Sequence, residues 1–425
     1  MGKIKIGMIG LGTVGSGVLK TLSSFNDIEV IQIAVKNISK KRNIKGLDES
    51  ILTDNPYDVV NSPDIQIIVE VIGGIQPAFD LITTAVKKGK HVVTANKELL
   101  AKKGEELFNI AEENNKVILY EAAIAGGIPI IMPIKTILAG NKINKIAAIL
   151  NGTTNYILTK MDVEGASYES VLKEAQELGY AEADPTGDVE GFDSAYKVAT
   201  LSTIAFNKRT NIKNIYREGI SKIQAEDMKY ANEFGYKIKL IALAQLDEKG
   251  NADVRVHPML INKSHNLAHI DYVTNAVLIE GYPIGETMLS GPGAGEFPTA
   301  SSVVGDILAI ASELKVNRDY ILPMMRCKHE ENAEMLDILE TTNRYYISIN
   351  AKNDFGVIAS LGKIFAENKI SVSNILQKGL MADNTANIIV ITENCLEKDL
   401  QNAIKTLKKD DCINKINSLI RVMED

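Results

Sequence analysis

A run of acidic residues leads up to a single lysine near the middle of the chain. The twenty residues that end at Lys197 contain five carboxylates: Glu182, Asp184, Asp188, Glu190 and Asp193. Residues 192–206 are otherwise almost wholly apolar, which predicts a buried helix with Asp193 and Lys197 on one face. A buried lysine is costly unless it is paired, and its pKa is easily moved. The pattern therefore predicts either a functional acid/base pair or a structural ion pair that ties the helix to a neighbour.

The start of the chain contains a glycine-rich turn of the kind that binds dinucleotides. Residues 3–11 (KIKIGMIGL) predict a short buried strand, and an amphipathic stretch follows at 16–25. Glycines between a strand and a helix permit a tight turn and the close approach of a pyrophosphate, and the helix N-terminus offers free N–H groups. The expected cofactor contacts are Gly10, Gly12, Thr13, Val14 and Gly15. The alternative is a tight strand–helix turn that binds no ligand.

The residues after the second predicted strand, 29–35, bear on the choice between NAD and NADP. A site that prefers NAD usually places Asp or Glu roughly 20 residues beyond the glycines, where it holds the ribose 2′-hydroxyl. This chain has Lys36 and Asn37 there, and three more basic residues follow at 40–42. No carboxylate is present to repel a 2′-phosphate, so NADP is favoured with Lys36 as a contact, and NAD is the alternative. The same residues also suit a basic solvated loop.

Strands and helices continue to alternate through the first third of the chain. Three predicted strands are linked to helices by short connections: 65–71, 91–94 and 117–120. This order implies a mostly parallel, doubly wound sheet, whose ligands bind beyond the carboxyl ends of the strands. Gly73, Lys97 and Glu121 each follow such an end, so we expect them to line one crevice.

The middle of the chain has a different pattern. Segments 253–258 (DVRVHP) and 275–280 (NAVLIE) are predicted to be antiparallel, half-exposed strands. A second glycine cluster at 291–295 precedes a predicted helix at 298–314. A glycine loop that opens a helix is a second candidate cofactor contact, here through Gly293. The alternative is a hinge where the chain returns to its first domain.

These patterns predict an α/β chain of three parts, because 425 residues are too many for one compact core. A Rossmann-type doubly wound parallel sheet for NAD(P) is expected over residues 1–135, completed by about 300–325. An α+β domain for substrate binding, catalysis and dimerisation is expected over 136–300. Residues 343–425 predict a βαββαβ order, a ferredoxin-like unit.

Composition argues against several functional classes. The net charge of −7 gives no reason to expect nucleic-acid binding, and no apolar stretch reaches membrane-spanning length. The three cysteines, Cys327, Cys395 and Cys412, fit neither a metal knuckle nor a disulfide framework. The chain opens with a strand rather than a signal peptide, so a cytoplasmic location is expected.

The motifs taken together resemble the homoserine dehydrogenase family along nearly the whole chain. The matching segments are GLGTVGSGV (10–18), GKHVVTANKELLA (89–101), EAAIAGGIPI (121–130), NGTTNYIL (151–158), LGYAEADPTGDVEGFDSAYK (178–197), VRVHP (254–258) and GPGAGEFPTAS (291–301). The resemblance implies reversible conversion of L-homoserine to L-aspartate 4-semialdehyde with NAD(P), in threonine, methionine and isoleucine biosynthesis. The unit at 343–425 resembles an ACT domain, whose usual role is to bind an amino acid or to mediate oligomerisation.

The resemblance also implies roles for the candidate active-site residues. By the family's pattern, Lys197 is the acid/base for the hydroxyl proton, and Asp193 positions it and binds substrate. Lys97 is implied to lie near the nicotinamide, the substrate and the reacting oxygen. Glu182 is implied to hold the substrate ammonium, and Thr153 is a weaker candidate for its carboxylate. Aldehyde reduction builds negative charge on oxygen, which lysine ammonium groups stabilise and protonate.

A monovalent cation, sodium, is implied in the loop that follows the strand at 117–120. Its ligands in the family are main-chain oxygens, here those of Glu121, Ile124, Gly126 and Ile128. Oxygen-only ligation suits a hard cation, and glycines allow the backbone to curl round it. The alternative is a loop that only holds two domains together.

The ACT-like unit carries a candidate amino-acid site at Asp354, Gly356 and Asn374. Phe355 stands where proline is usual, but Gly356 can still open a helix whose N–H groups suit a carboxylate. Binding of L-threonine is one hypothesis, and a purely structural dimerisation module is the other. Strand edges in the middle and C-terminal parts imply a homodimer or a homotetramer.

Two rival functions follow from the same residues. Aspartate-semialdehyde dehydrogenase needs a nucleophilic cysteine, and the three cysteines lie outside the predicted active region. A non-enzymatic amino-acid sensor that binds a dinucleotide would leave Lys197 and its acidic neighbours without a task.

Lys36 stands where arginine is frequent in the family, which weakens the preference for the 2′-phosphate without removing it.

Overall fold

The chain folds into two compact units, each assembled from separate parts of the sequence. A computed structural model describes residues 2–316, 327, 329, 331–378 and 385–424. Unit 1 comprises Met1–Ile146, Tyr196–Lys213 and Thr274–Ala333, and unit 2 comprises Ala147–Ala195, Asn214–Val273 and Glu334–Asp425. The predicted completion of the first domain at 300–325 lies partly outside the described residues.

Strands and helices are numbered in chain order. The strands are β1 Ile4–Ile9, β2 Ile28–Ala34, β3 Leu52–Thr53, β4 Ile67–Glu70, β5 His91–Thr94, β6 Ile118–Leu119, β7 Lys142–Ile149, β8 Tyr216–Arg217, β9 Tyr236–Leu246, β10 Ala252–Asn262, β11 Thr274–Tyr282, β12 Gly285–Pro292, β13 Thr342–Lys352, β14 Val372–Lys378, β15 Thr385–Thr392, β16 Cys395–Leu396 and β17 Ile413–Val422. The helices are α1 Thr13–Leu22, α2 Pro56–Asn61, α3 Ala78–Lys87, α4 Lys97–Glu113, α5 Ala122–Ala125, α6 Ile131–Lys135, α7 Gly152–Glu164, α8 Tyr168–Glu177, α9 Thr186–Val189, α10 Phe192–Phe206, α11 Ala225–Glu233, α12 Glu296–Lys315, α13 Val357–Glu367 and α14 Glu397–Leu407.

Unit 1 is built on a six-stranded sheet in the order β3-β2-β1-β4-β5-β6, and every pairing in it is parallel. Its strands are short apolar runs that need cover on both faces. Apolar residues of α1 and α12 form one core with the sheet, and those of α2, α3 and α4 form the other. The predicted doubly wound parallel sheet is therefore confirmed.

Glycine is required at two positions of the first turn and helix because other backbone approaches closely. A Cβ on Gly15 would lie 2.4 Å from the carbonyl oxygen of Gly10, and one on Gly17 would lie 2.5 Å from that of Glu296. The first contact closes the strand–helix turn, and the second lets α1 pack tightly against α12. The later segment of unit 1 thus covers the helix that opens the chain.

Unit 2 contains a mixed sheet in which six strands follow in the order β9-β10-β17-β13-β15-β14. The last four form a ferredoxin-like arrangement, with the predicted βαββαβ order and β16 as an additional short strand. Helices α13 and α14 pack on this part of the sheet through one apolar core. Strands β10 and β17 pair in parallel at Met259–Arg421 and Leu260–Val422, so the C-terminal module continues the same sheet.

The prediction of half-exposed strands in the middle of the chain is wrong. Strand β10 is buried except at its last residue, and β11 is buried over most of its length. Arg255 is only 2% exposed, and its guanidinium donates to Asn343 Oδ1 at 2.8 Å and to Thr341 Oγ1 at 3.3 Å. Polar residues alternate along 253–258, and Arg255 among them faces buried polar partners rather than solvent. The antiparallel pairings, β10 with β9 and β11 with β12, agree with the prediction.

Candidate functional site

The turn after β1 presents backbone N–H groups at the carboxyl end of the parallel sheet. Gly10 has a φ of +107° and its N–H donates to Ala34 O at 2.9 Å, which ties the turn to β2. Helix α1 begins at Thr13 with Gly12 as its N-cap, so no side chain competes for the first N–H groups. Gly12 and Thr13 are exposed. The arrangement suits a pyrophosphate, because free N–H groups at a helix N-terminus attract anions.

A buried carboxylate, Glu70, supports the second turn of this edge. Glu70 is the last residue of β4 and is fully excluded from solvent. Its Oε1 accepts the backbone N–H groups of Ile72 at 2.9 Å and Gly73 at 3.2 Å, and Thr94 Oγ1 donates to its Oε2 at 2.6 Å. Burial raises the pKa of this carboxyl. Gly73 and Gly74, each with a φ of +71°, are thereby held at the carboxyl end of β4.

Asn96 joins the same turn to the start of α4. Its Nδ2 donates to Gly74 O at 2.6 Å, and its Oδ1 accepts the N–H of Leu99 at 3.2 Å as the helix cap. Lys97 is the first residue of that helix and is partly buried. Glu70, Thr94 and Asn96 were not among the predicted site residues. The sequence signal that could have identified Glu70 is a single acidic residue at the end of an otherwise apolar strand.

In the basic loop after β2, the side chain of Arg42 binds the backbone of the loop itself. The guanidinium of Arg42 donates to Asn37 O at 2.7 Å and Lys40 O at 2.8 Å, so this side chain closes the loop. Lys36 directly follows the buried end of the strand and is exposed, as is Lys41. Lys36 is therefore accessible after β2, in a loop that Arg42 stabilises, and its contact with a 2′-phosphate stays a prediction.

The loop that begins at Glu121 is held from within by the Glu121 side chain. The buried carboxylate accepts the backbone N–H groups of Ile130, Ile131 and Met132 at 2.5, 2.7 and 2.7 Å, and burial raises its pKa. The N–H of Glu121 donates to Asp306 Oδ2 at 2.8 Å. The side chain thus caps the start of α6.

The second glycine cluster lies directly against this loop. A Cβ on Gly126 would meet Gly293 O at 2.2 Å, and the N–H of Gly127 donates to Pro292 O at 3.1 Å. Ser302 Oγ donates to Gly126 O at 2.6 Å. Gly293 itself leaves no space for a side chain beside Asn275. The structure therefore brings the predicted cofactor residue Gly293 and the predicted cation residue Gly126 together.

In unit 2, Asn151 connects the acidic loop with the start of α7. Its Nδ2 donates to Asp188 Oδ1 at 2.7 Å and to Asp193 Oδ2 at 3.0 Å, and its Oδ1 accepts the N–H of Thr154 at 2.9 Å. Thr153 Oγ1 donates to Tyr180 O at 2.6 Å. The sequence predicted Asn151 only as part of a motif, whereas its contacts make it the residue that holds Asp193, one of the predicted substrate side chains.

The predicted buried helix is confirmed as α10. Asp193 and Lys197 are each 7% exposed and lie one turn apart on the same face. Glu182, by contrast, is exposed on the acidic loop. A carboxylate and an ammonium excluded from water in one turn can transfer a proton and hold a polar substrate.

Comparison with known proteins decides the family. Residues 10–121 match the family model described as homoserine dehydrogenase, NAD binding domain, and residues 129–308 match the model described as homoserine dehydrogenase. The homoserine dehydrogenase of Neisseria gonorrhoeae is 38% identical over 431 residues, which cover 99% of each chain. The chain belongs to the homoserine dehydrogenase family.

Solved homoserine dehydrogenases have the same fold. The structure from Thiobacillus denitrificans is similar with a TM-score of 0.93 and 40% identity, covering 99% of this chain and 98% of that one. A hyperthermophilic archaeal homoserine dehydrogenase in complex with NADPH is similar with a TM-score of 0.63 and 29% identity, covering 74% of this chain and 98% of its own. The predicted enzyme class, an NAD(P)-dependent oxidoreductase that interconverts L-homoserine and L-aspartate 4-semialdehyde, is confirmed.

Two further properties concern the described part of the chain only. No described helix is both long enough and apolar enough to cross a membrane. Among the same residues, no three His, Cys, Asp or Glu side chains gather as a metal cluster.

Replacing Glu70 by alanine is expected to weaken cofactor binding. The change leaves two backbone N–H groups and one hydroxyl without their acceptor in a dry site, at a cost of about 1–3 kcal/mol for each buried group. The Gly73 turn should move, and KM for the nicotinamide cofactor should rise about tenfold, as expected for a loss of about 1.4 kcal/mol. Initial-rate kinetics measure this, with thermal unfolding to verify the fold. The matched control is Glu29→Ala, which changes an exposed glutamate on β2. An unchanged KM for the cofactor in folded Glu70→Ala would contradict the role of Glu70 in supporting the cofactor site.

Proposed function

We propose that Lys197 is the acid/base of homoserine oxidation and that Asp193 positions it and binds substrate. The observation that carries the proposal is the burial of both groups within one turn of α10, with Asn151 Nδ2 bound to the Asp193 carboxylate at 3.0 Å. In the oxidative direction, a neutral Lys197 amine takes the hydroxyl proton as the carbon–hydrogen bond breaks. An oxidised nicotinamide, held by the contacts proposed below, would supply the acceptor for the hydride, so that the carbon–oxygen double bond of the semialdehyde can form.

Lys97 is proposed to stabilise the negative charge on the reacting oxygen and to lie next to the nicotinamide. Its support is its place as the first residue of α4, beside the turn that Glu70 and Asn96 hold. An ammonium fixed before reaction stabilises developing charge without reorganisation. Glu182 is proposed to bind the substrate ammonium. Thr153 is proposed to turn its hydroxyl from Tyr180 O to the substrate carboxylate.

Replacing either proposed catalytic lysine by methionine is expected to lower kcat strongly. General acid/base catalysis contributes on the order of 100- to 10,000-fold, so Lys197→Met should lose about that factor while cofactor affinity is retained. Lys97→Met should lose both kcat and part of the affinity for cofactor and substrate. The two control variants are Lys103→Met on α4 and Lys208→Met just beyond α10. They remove lysines whose side chains pair with Glu106 and Glu331, respectively. Full activity of Lys197→Met would remove it from the mechanism, and a matching loss in the controls would show a general charge effect.

The cofactor preference proposed here is NADP, with NAD as a weaker alternative. It is supported by the exposed Lys36 after β2, by the lack of a carboxylate there, and by the archaeal relative of known structure in complex with NADPH. The other proposed contacts are Gly10, Gly12, Thr13, Val14, Gly15, Gly73, Lys97 and Gly293. The glycine turn fits a dinucleotide, because Gly12 caps α1 without a side chain and both Gly12 and Thr13 are exposed.

Lys36→Ala is expected to raise KM for NADP by about tenfold and to leave KM for NAD nearly unchanged. A lysine at the 2′-phosphate makes a charge-assisted contact that NAD does not make. Such a contact contributes about 1.5–3 kcal/mol, and less where the lysine is exposed to solvent. Lys45→Ala, an exposed lysine of the same loop, is the control. Equal effects on both cofactors would show that Lys36 does not select the 2′-phosphate.

A monovalent cation, sodium, is proposed to bind the main-chain oxygens of Glu121, Ile124, Gly126 and Ile128. The positive φ of Gly126, +60°, reverses the backbone at this point, and the loop is largely buried. Gly126 O also accepts a hydrogen bond from the Ser302 hydroxyl, which still leaves a carbonyl lone pair for the ion.

If sodium binds here, homoserine oxidation is expected to fall when a bulky organic cation replaces sodium and potassium. Unchanged rates and an unchanged melting temperature would exclude the site.

The C-terminal module, residues 343–425, is proposed to be an ACT domain that binds L-threonine at Asp354, Gly356 and Asn374. Its strand order supports the assignment, and Gly356, with a φ of +87°, precedes α13. Asn374 lies exposed on the edge strand β14. The functional division into three domains at 1–135, 136–300 and 343–425 stays a prediction, and assembly as a homodimer or homotetramer is proposed from the same exposed edge. Calorimetric titration of the intact protein with L-threonine should release heat, with Asp354→Ala as the variant that loses it.

A further inference from the structure

Arg421, in the last strand of the C-terminal module, is almost completely buried and fully engaged. Its side chain is 1% exposed, and its Nε and Nη2 donate to the two carboxylate oxygens of Glu397 at 2.9 Å each. Glu397 is the first residue of α14, where a carboxylate also favours the helix N-terminus. A buried arginine needs partners of this kind, because an unpaired charge is costly in a dry interior.

The remaining donors of Arg421 reach outside the βαββαβ module. Its Nη1 donates to Glu218 Oε1 at 3.1 Å, and its Nη2 lies 3.3 Å from Tyr216 OH. The guanidinium also stacks over the Tyr216 ring at 4.9 Å. Residues 216–221, which include β8, are called the bridge segment below. Arg421 therefore anchors one side of the bridge segment.

The other side of the bridge segment is anchored on the end of the acidic loop. Arg217 donates to Glu190 O, and its guanidinium lies 3.4 Å from the centre of the Phe192 ring. The N–H of Ile220 donates to Val189 O at 2.8 Å, and Ser221 Oγ donates to Glu190 Oε1 at 2.6 Å.

Backbone packing leaves this junction little freedom. A Cβ on Gly219 would lie 2.4 Å from Val189 O and 2.7 Å from Glu190 Cα. Gly191 has a φ of +77° and packs against the Arg217 side chain. The chain turns here and at once begins α10, so a shift of the bridge segment must also move the start of that helix.

The bridge segment contacts the residue that directly precedes Asp193 of the proposed active site. Phe192, the ring held by Arg217, is the first residue of α10, and Asp193 follows it directly. Asn151 holds the Asp193 carboxylate from the other side. A continuous series of contacts thus leads from the buried Arg421 of the C-terminal module, through partly exposed side chains, to the residue proposed to position the acid/base.

We infer that Arg421, Glu218 and Arg217 are positioning residues for homoserine oxidation, through which the C-terminal module sets the orientation of Asp193 and of Lys197 one turn later. The inference rests on the proposed roles of Asp193 and Lys197. It gives the module a task in catalysis that needs no amino-acid ligand. Substitution of Arg421 should then alter the function of Asp193 and Lys197, which lie more than two hundred residues earlier in the chain.

The experiment compares Glu218→Gln and Arg217→Met with wild type in homoserine oxidation across a pH series. Glu218 is 36% exposed, so this substitution should leave the fold intact, and Arg217→Met keeps an unbranched side chain over Phe192. We expect kcat to fall on the order of 10- to 100-fold, as a displaced reacting group causes, with cofactor KM unchanged. The pH profile of kcat should shift, because the environment of the acid/base changes. Arg421→Met should show the same pattern more strongly if it folds.

Arg344→Met is the matched control. Arg344 lies on β13 within the same module, opposite Val422, and its guanidinium binds Thr392 O and Ser373 Oγ at 3.3 Å each without touching the bridge segment. This variant should keep kcat within about two-fold of wild type, in the range of a purely local change. The inference is overturned if Glu218→Gln and Arg217→Met lower only the melting temperature and leave kcat and its pH profile unchanged.

Asp193→Asn and Lys197→Met, assayed alongside, separate the two levels of the argument. If both lose turnover while the bridge variants keep it, only the positioning inference fails. If both keep turnover, the proposed roles of Asp193 and Lys197 fail, and with them the reason for the bridge. A loss in both sets, with the pH shift in the bridge variants, supports both.

Discussion

The carboxylate of Glu70 accepts hydrogen bonds from two backbone N–H groups and from Thr94 Oγ1 while it is fully excluded from solvent. Backbone groups at the carboxyl end of a parallel strand have lost their sheet partners, and burial makes each unsatisfied one costly. One side chain at the end of β4 meets that requirement and at the same time connects β4 with β5. The Gly73 turn, the Asn96 cap and the place of Lys97 all follow from this interaction.

The same constraint shapes unit 2 with different residue types. Asn151 satisfies two carboxylates of the acidic loop and a helix N–H together, and Arg421 satisfies a carboxylate on α14 and another on the bridge segment. Each is a buried polar group with several partners, and such a group fixes geometry more firmly than an apolar contact, because every misplaced donor costs free energy. Asp188 and Asp193 of unit 2 are therefore held together by one polar side chain from the start of α7.

Lysine chemistry at neutral pH depends on this kind of support. An exposed lysine stays protonated and mobile, whereas a buried one beside a fixed carboxylate can exchange a proton with a substrate hydroxyl. Helix α10 provides the burial for both Asp193 and Lys197. The helix is apolar enough to be buried, and its first turn is restrained by the residues around Glu190 and Phe192. Burial and restraint together fix the geometry on which the proposed proton transfer depends.

The sequence alone determined the parallel sheet, the glycine turn, the buried helix α10 and the family, because apolar periodicity, glycine spacing and ordered motifs are local properties of the chain. It did not reveal the long-range contacts of Glu70 with Thr94, of Asn151 with Asp188 or of Arg421 with Glu218, since these join residues 24, 37 and 203 positions apart. It also misjudged β10, where alternating polar residues do not distinguish a face toward water from a face toward buried Asn343 and Thr341. Only the tertiary structure decided which polar side chains are buried, because burial depends on what the rest of the chain brings against them.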